Sequence, residues 1–544
     1  MRARKAARAI IWRVETTHAL WLLAVPVTAL VVAAGARRAG VSAPLVLVIA
    51  GLAVSFVPGV PEFELDPEIA LYVFLPPLLF AAAWKSSYAG LRENAWSIGF
   101  LSVGLVLFTT FAVGYAAYLL VPDLPLAAAF VLGAIVAPPD AVAAVSVAQR
   151  LGLPRRTVTI LVGESLFNDA TALTAFRVAL IAATGAGFTL LDGVWRFLFA
   201  AAVGTAVGLL LGPPLHWLRT RLNDPLVENG VAVVTPFAAY LIAESVHASG
   251  VIAVVVSGLY LGHRATESTA VTRLIGQSFW KVMVFILESV VFLLIGLQLP
   301  PVIDGLSHRS VPELAWWALA IFAVTVVARF VWVFPASYVP RLLSKRQRER
   351  EDPGWRGRTI ASWAGMRGVV SLAAAFAIPF ATAADEPFPG RDLILFLTFT
   401  TVLGTLLVQG VTFPALIRAL GVGGDRERYA DTVAEAGAQH AAARAALERL
   451  DELTAGQDLD ADVVERLRQL AEHRQLRAWE RLGGGTGPEG EEVPTAMYRR
   501  LRREMLAAER RVFVQMRDER RIDDEVLTRV MHELDLEEAA LNRE

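Results

Sequence analysis

The chain of 544 residues is 55% hydrophobic and only 19% charged, and its mean hydropathy is +0.50. An average soluble domain is roughly 45–50% apolar and about 25% charged, so this composition excludes a soluble enzyme and a disordered chain and indicates a membrane protein. The chain contains no cysteine, which excludes disulfides, thiolate catalysis and cysteine-ligated metals.

The formal net charge of −1 is the sum of two unequal parts. Residues 421–544 hold 28 acidic residues against 20 arginines and no lysine, whereas the first 420 residues carry a balance of +7. The sequence therefore divides into an apolar, slightly basic body and an acidic tail. Neither part has the basic stripe typical of a nucleic-acid-binding protein, so no nucleic-acid partner is expected.

Thirteen apolar segments are predicted to cross the membrane as helices, because a bilayer core of about 30 Å requires about 20 apolar residues in a helix. They define a membrane domain over 18–420, preceded by an N-terminal segment (1–17) and followed by the charged tail (421–544). No cleavable signal peptide is predicted, since the first segment lacks a small-residue cleavage site. In chain order the segments are 18–35, 41–57, 68–84, 95–120, 126–148, 157–183, 195–218, 228–246, 249–262, 278–299, 314–339, 359–383 and 393–417.

Lysine and arginine in the loops predict the orientation of the membrane domain. One set of alternate loops holds 18 of these residues, and the other set holds three. The basic loops and the acidic tail are therefore predicted to be cytoplasmic, and an odd number of spans then places the N-terminus outside. Five basic residues between Arg2 and Arg13 favour the opposite placement of the N-terminus, so a miscount of one span stays an alternative.

The tail has the charge-laced pattern of helices, for example over 441–450 and 496–521, and the glycine-rich stretch 483–488 divides it into two parts. Such helices lie in solvent or pair with one another. A solvated helical tail is one interpretation, and a regulatory or assembly domain with an unknown ligand or partner is the other.

Charged residues inside apolar segments are costly and mark functional sites by default. Asp140 follows Pro138 and Pro139 in the middle of the fifth segment. Two prolines remove two backbone donors, and a membrane helix tolerates such a break only where it is buried or lines a wet cavity. The carbonyls freed by the break can coordinate a cation. A simple proline kink with a capping aspartate is the alternative interpretation.

The sixth segment contains the heptapeptide Gly-Glu-Ser-Leu-Phe-Asn-Asp at 163–169. On a helix, Ser165 and Asp169 share one face. Glu164 and Asn168 share the neighbouring face. Glu164 and Asp169 point roughly 140° apart, so they do not form an acid/base dyad. Asp169 lies near mid-depth in the membrane, which predicts that it meets the substrate while Glu164 binds a different partner.

The twelfth segment contains Gly365, Arg367 and Gly368, which indicate a second weakened helix, although glycines also serve close helix packing. Inverted-repeat transporters place discontinuous helices at corresponding positions of their two halves. The fifth and twelfth segments differ by seven, which fits two six-segment repeats of opposite topology. Arg329 lies alone in the eleventh segment and requires a carboxylate, for which Glu164 is the predicted partner.

The heptapeptide at 163–169, with Pro-Pro-Asp at 138–140 before it and Gly-Met-Arg-Gly at 365–368 after it, resembles the monovalent cation:proton antiporters. Within that family the chain is similar to the bacterial and eukaryotic sodium/proton exchangers that carry an Asn-Asp pair. The resemblance extends over about residues 18–420. Supporting stretches lie at 75–79, 249–253 and 292–296.

The resemblance implies an all-α polytopic membrane protein of about 13 transmembrane helices in two inverted six-helix repeats with crossed discontinuous helices. It also implies a homodimer in the cell (inner) membrane, in contact with membrane lipids. A core domain (about 95–183 and 314–417) would move against a scaffold (about 18–84 and 195–299). A role in pH homeostasis is expected, and no cofactor is expected apart from the transported ions, Na⁺ (or K⁺ or Li⁺) and H⁺.

By the same resemblance, Asp169 binds the monovalent cation and the proton in turn. The residues expected to support Asp169 in ion binding are Asp140, Ser165 and Asn168. Glu164 and Arg329 would form a salt bridge that holds the core together. The residues expected to support the discontinuous helices are Pro138, Pro139, Gly365, Arg367 and Gly368.

Competition between a proton and a cation for Asp169 predicts secondary active transport. A hard cation prefers carboxylate, carbonyl and hydroxyl oxygens, which Asp169, Ser165 and the backbone around Pro138 can supply. Because Asn168 is neutral and Glu164 is held by Arg329, only Asp169 changes charge. The expected reaction is therefore electroneutral exchange of one sodium or lithium ion for one proton.

One departure from the family concerns ion selectivity. Many relatives have Thr-Asp-Pro at the break in the fifth segment, where this chain has Pro139, Asp140 and Ala141. Proline supplies no hydroxyl ligand, although its carbonyl remains. The choice between sodium and potassium therefore stays open, and potassium/proton exchange is the alternative within the family.

Two functions of other classes are disfavoured. An intramembrane aspartyl protease would need Gly-x-Gly-Asp, and a serine hydrolase would need Gly-x-Ser-x-Gly or a histidine near Ser165, none of which the sequence contains. An ion channel is disfavoured because no selectivity-filter repeat is present. The chain is therefore expected to be a transporter and not an enzyme.

Overall fold

The computed structural model describes residues 16–41, 43–58, 60, 70–184, 190–222, 224–343, 354–382, 386–423, 425–455, 460–482 and 494–543. Within these ranges the polypeptide is helical and contains no β-strand apart from an isolated bridge between Ala381 and Pro387. The predicted all-α class is therefore confirmed. The chain forms two compact units, Met1–Gly423 and Gly424–Glu544.

The first unit contains α-helices interrupted by short π-helical and 3₁₀ turns. The π-helical turns are Ala70–Phe74, Phe100–Leu105 and Thr405–Gln409, and the 3₁₀ turn is Ala265–Glu267. The helices are α1 (Thr16–Arg38), α2 (Ala43–Ser55), α3 (Leu75–Lys85), α4 (Tyr88–Glu93), α5 (Ala95–Gly99), α6 (Val106–Leu120), α7 (Leu126–Val136), α8 (Ala141–Arg150), α9 (Arg155–Ala183), α10 (Leu190–Leu222), α11 (Pro225–Ser245), α12 (Gly250–His263), α13 (Ala270–Leu297), α14 (Leu299–Asp304), α15 (Val311–Leu343), α16 (Gly354–Trp363), α17 (Val369–Phe376), α18 (Arg391–Gly404) and α19 (Gly410–Leu420).

Seven helical segments among the described residues are long and apolar enough to cross a membrane. They are Ala95–Leu120, Arg155–Ala183, Leu191–Leu222, Pro225–Ser245, Ala270–Asp304, Val311–Val339 and Arg391–Leu420. Four shorter apolar helices accompany them: Ala43–Ser55, Leu71–Lys85, Leu126–Val136 and Gly250–His263. The first unit therefore has the composition of a multi-pass membrane protein.

Two predicted spans are discontinuous. The fifth consists of α7 and α8, with residues 137–140 between them, and the twelfth consists of α16 and α17, with residues 364–368 between them. In the fifth span the cause is chemical, because Pro138 and Pro139 carry no backbone N–H for a continuous helix. Each half-helix is too short to cross a bilayer alone.

The tenth span begins earlier than predicted. Helix α13 starts at Ala270 and not at 278, because the Thr269 hydroxyl accepts the N–H of Thr272 at 3.2 Å and caps the helix. Its first two turns are polar enough to escape a search for apolar segments. The predicted loop at 84–94 likewise contains the short helix α4, which is capped by Ser87.

The second unit consists of α20 (Asp425–Thr454), α21 (Ala461–Leu482), α22 (Pro494–Asp518) and α23 (Asp524–Arg543). Leu506, Leu534 and Leu541 form the apolar contact between α22 and α23. Arg502 donates to both carboxylate oxygens of Glu537, at 2.6 and 2.8 Å. These hydrogen bonds hold the pKa of Glu537 below its ordinary value. The tail is thus helical where it is described, and the break predicted at 483–488 lies outside those residues.

Helices α2 and α13 cross with their backbones in contact. A Cβ atom on Gly51 would collide with the carbonyl oxygen of Leu293, and one on Gly296 would collide with the carbonyl oxygen of Val48. Small residues permit such close approach between membrane helices, where dispersion contacts replace the hydrophobic effect as the source of stability. The two glycines therefore set the spacing of this helix pair.

We expect Gly51→Ala to destabilise the protein, because the added methyl group has no space and must push the two backbones apart. Overpacking of this kind costs about 1–3 kcal/mol. Gly35 in α1 is the matched control, since nothing lies within 4 Å of a Cβ built there. Gly35→Ala should leave the thermal melting temperature in detergent unchanged or raise it. Equal melting temperatures for the two variants would contradict the proposed close contact.

Candidate ion-binding site

Helix α9 carries the heptapeptide through the centre of the first unit. Its 29 residues span about 44 Å, enough to cross a bilayer. Glu164 and Asn168 are fully buried on this helix, and Asp169 is 8% exposed. No basic side chain among the described residues pairs with Asp169. Asp140 follows Pro139, whose carbonyl is bound by Asn168, the residue before Asp169.

The break between α7 and α8 presents backbone groups to the centre of the protein. The N–H of Asp140 donates to the carbonyl of Met366 at 2.6 Å. The carbonyl of Pro139 accepts a hydrogen bond from the Asn168 side-chain amide, also at 2.6 Å. The sequence predicted that the proline break frees a backbone carbonyl. In the structure the Asn168 side chain donates a hydrogen bond to that of Pro139. The Asn168 amide oxygen has no hydrogen-bond partner among the described residues.

The break between α16 and α17 lies against the first one. Arg367 donates from its Nε to the carbonyl of Val136, the last residue of α7, at 3.0 Å. Its backbone N–H donates to the Thr405 hydroxyl at 3.0 Å, and its Nη1 donates to the carbonyl of Gly365. The Arg367 side chain, which belongs to the second break, therefore supplies a hydrogen-bond donor to a carbonyl at the end of α7, beside the first break.

Gly368 and Gly365 make room for two charged side chains. A Cβ on Gly368 would fall on the carboxylate of Asp140, and a Cβ on Gly365 would lie 2.6 Å from Cδ of Arg329. Gly368 itself is extended, with φ −135° and ψ −152°, so it serves close approach and not an unusual backbone conformation. The glycines of the second break therefore shape the space around the aspartate of the first.

Glu164 and Arg329 form a buried ion pair between α9 and α15. Arg329 Nη2 lies 2.9 Å from Glu164 Oε2, and Nη1 donates to Oε1. The side chains are 1% and 2% exposed. Arg329 also donates from Nε and Nη2 to the carbonyl of Ala361 on α16, at 3.1 and 3.0 Å. The pair that the sequence predicted is present, and it joins three helices.

The remaining predicted residues lie in or next to the same region. Ser165 follows Glu164 on α9 and is half-buried. Pro138 lies between the ends of α7 and α8. The groups that sequence reasoning missed are the Thr405 hydroxyl and the carbonyls of Val136, Met366 and Ala361. Three of these four are backbone atoms, which leave no signal in the sequence.

Comparison with known proteins identifies the family of the chain. The family model for the sodium/hydrogen exchanger, transmembrane, matches residues 26–419. The chain belongs to the sodium/hydrogen exchanger family. The resemblance inferred from the sequence motifs is thereby confirmed.

Individual relatives extend the match. An uncharacterised Na⁺/H⁺ exchanger of Mycobacterium tuberculosis is 35% identical over 517 residues, covering 93% of each chain. A sodium, potassium, lithium and rubidium/H⁺ antiporter of Bacillus subtilis is 34% identical over 385 residues, covering 69% of this chain and 57% of the relative. The structure of a sodium proton antiporter from Methanocaldococcus jannaschii at pH 8 shares the fold, with a TM-score of 0.58 at 21% identity, over 74% of this chain and 97% of that one.

We expect Glu164→Leu to destabilise this exchanger strongly, because it leaves Arg329 charged, buried and without its carboxylate. Breaking a buried pair from one side costs about 3–5 kcal/mol. The double variant Glu164→Leu/Arg329→Met should recover much of the lost stability, since neither charge then remains. Thermal unfolding in detergent measures both. A double variant no more stable than Glu164→Leu would contradict this account of the pair.

Proposed function

We propose that the protein exchanges Na⁺ or Li⁺ for H⁺ across the cell membrane, with Asp169 binding the cation and the proton in turn. The observation that carries the proposal is that Asp169 is a buried carboxylate without a basic partner among the described residues. It follows Asn168 on α9, and Asn168 binds the carbonyl of Pro139 in the α7–α8 break. A buried carboxylate without a fixed counter-charge needs a mobile one. A proton and a monovalent cation are the two alternatives that an antiporter exchanges.

The proposed ligands are all oxygen atoms, as a hard cation requires. Asp169 and Ser165 share one face of α9, and Asp140 is the neighbouring carboxylate. Asn168 acts as a positioning residue in this proposal, because its amide N–H holds the carbonyl of Pro139. Its buried amide oxygen has no hydrogen-bond partner among the described residues, which makes it a further candidate ligand for the ion.

The proposed stoichiometry is one cation for one proton. Glu164 is neutralised by Arg329, and Asn168 carries no charge. Asp169 is then the group whose charge differs between the two loaded states. If the site crosses the membrane only when Asp169 is loaded, each cycle carries one positive charge in each direction and is electroneutral.

The proposed architecture has thirteen spans in two inverted repeats. Its support is the pairing of the fifth and twelfth predicted spans, which are both broken and which bind each other through Arg367 and Asp140. A core (about 95–183 and 314–417) would move against a scaffold (about 18–84 and 195–299) within a homodimer. The charged helical tail would lie in the cytoplasm, and the N-terminus would lie outside the inner membrane.

Potassium/proton exchange is the second candidate. Pro139 stands where many relatives carry threonine, so one hydroxyl ligand is absent, and its carbonyl is engaged by Asn168. The Bacillus subtilis relative is described as exchanging potassium as well as sodium, lithium and rubidium. A site with fewer fixed ligands discriminates less sharply between cations of different size.

We expect Asp169→Asn to abolish exchange, because an amide neither binds a proton reversibly in this pH range nor carries the charge that attracts a cation. Fluorescence dequenching in proteoliposomes, with sodium, lithium and potassium added separately, measures the loss and the selectivity. Asp304→Asn is the matched control. Asp304 is exposed on α14, so the Asp304→Asn variant should exchange ions at the wild-type rate. Full exchange by Asp169→Asn would refute the central assignment.

We further expect the exchange rate to be independent of membrane potential. Potassium-free proteoliposomes, held at different potentials by gradients of the permeant anion thiocyanate and with a constant sodium gradient, provide the measurement. A rate that changes with potential, or a current on a solid-supported membrane at steady state, would contradict one-for-one exchange. Exchange itself would stand in that case, and only the stoichiometry would fall.

A further inference from the structure

A second arginine–glutamate pair has its arginine on α9. This residue, Arg177, lies thirteen residues beyond Glu164, about 20 Å along the helix axis. Arg177 Nη1 lies 2.9 Å from Glu244 Oε2, and Nη2 lies 2.7 Å from Oε1. Nη2 also donates to the Tyr240 hydroxyl at 3.3 Å. Glu244 and Tyr240 belong to α11, so this planar, bidentate contact connects α9 to α11.

The Glu244 carboxylate is anchored independently of Arg177. The N–H of Gly250, the first residue of α12, donates to Glu244 Oε1 at 3.2 Å. A Cβ on Gly250 would lie 2.9 Å from that oxygen and 2.7 Å from the Tyr240 ring, so glycine is needed for this approach. The N-terminus of a helix stabilises a negative charge. Glu244 therefore keeps a partner when Arg177 moves away.

The two arginine–glutamate pairs on α9 differ in exposure. The Arg329 and Glu164 side chains are 1% and 2% exposed, whereas those of Arg177 and Glu244 are 36% and 19% exposed. Separating a fully buried pair leaves two charges without a partner. Arg177 lies six residues before the end of α9 and Glu244 one residue before the end of α11, near the predicted outer water interface of the membrane, where water can replace the contact when the pair separates. The first pair is therefore suited to permanence and the second to repeated opening.

We propose that Arg177 and Glu244 form a clasp between the moving core and the scaffold, closed in this conformation and opened in each transport cycle. The inference rests on the proposed function, in which α9 belongs to the core, and α11 and α12 belong to the scaffold. Arg177 lies about 12 Å along α9 from Asp169, toward the predicted outer face. The clasp therefore closes the outer side of the core–scaffold boundary.

Arg177 and Glu244 are positioning residues in this scheme, because they act on the ion only through the position of α9. A purely structural pair would hold the same helix ends together throughout the cycle. The two roles differ in one measurable respect, which is whether Arg177 and Glu244 separate while the protein exchanges ions.

The natural absence of cysteine makes this separation testable in the full chain. Arg177→Cys/Glu244→Cys provides two thiols at the clasp. A bifunctional methanethiosulfonate reagent links the two thiols. A direct disulfide is too short, because an arginine and a glutamate side chain placed end to end separate their Cα atoms by more than the roughly 7 Å that a disulfide can bridge. We expect linking to reduce sodium/proton exchange to the background of empty liposomes, and reduction with dithiothreitol to restore it.

The matched control links two helices of the proposed core. Phe111 on α6 and Phe130 on α7 have ring centroids 5.1 Å apart. Phe111→Cys/Phe130→Cys, treated with the same reagent, should exchange sodium at the rate of its reduced form, since these helices move together.

Three outcomes would overturn the clasp. Linked Arg177→Cys/Glu244→Cys that exchanges at its reduced rate would mean that the pair never opens. Loss of exchange in the unlinked variant would mean that the fold requires the pair, and arrest of the control would mean that linking itself inactivates the protein. Failure of the proposed function would give a different result, because the wild-type protein itself would then show no exchange. In that case, the distance between spin labels on the two cysteines tests the clasp. Two distances would support the clasp, and a single distance under all sodium and pH conditions would refute it.

Discussion

Burying an arginine in the centre of a membrane protein is costly unless its charge and its donors are satisfied, and Arg329 meets this constraint by binding Glu164 on α9. Arg329 also donates to the carbonyl of Ala361 on α16, so three helices are fixed at one point. Helix α9 carries Asp169, and α16 leads directly into the second break. The pair therefore sets the distance between Asp169 and one of the two broken helices, and the rest of the candidate site is built from that position.

The two breaks complete each other. A break exposes backbone donors and acceptors that the bilayer cannot satisfy, at a cost of several kcal/mol each. Here Arg367 satisfies the carbonyl of Val136, Met366 accepts the N–H of Asp140, and Asn168 satisfies Pro139. Either break alone would leave open groups in an apolar surrounding. The charged and amide side chains gather where they satisfy backbone groups that the two breaks leave open.

Much of the site could be predicted, because charges are conspicuous within apolar segments and helical periodicity assigns their faces. Asp140, Asp169 and the Glu164–Arg329 pair follow from these two rules. The partners of Arg367 and Asp140 do not, since carbonyl groups are the same in every residue and only the fold decides which ones meet. The start of α13 was not predicted because the search used hydropathy, which finds the part of a helix that lies in lipid. The helix itself begins earlier, at the cap residue Thr269.

The broken helices also bear on how the protein is made. Asp140 forms its hydrogen bond with Met366, which is synthesised 226 residues later. At about 5–20 residues per second, the ribosome needs roughly 10–45 s to supply that partner. Meanwhile α7 and α8 contain 11 and 10 residues, about half the length that spans a bilayer. The fifth predicted span is therefore synthesised without the partner of its break, and the contact between the two breaks forms only after residues 364–368 have been made.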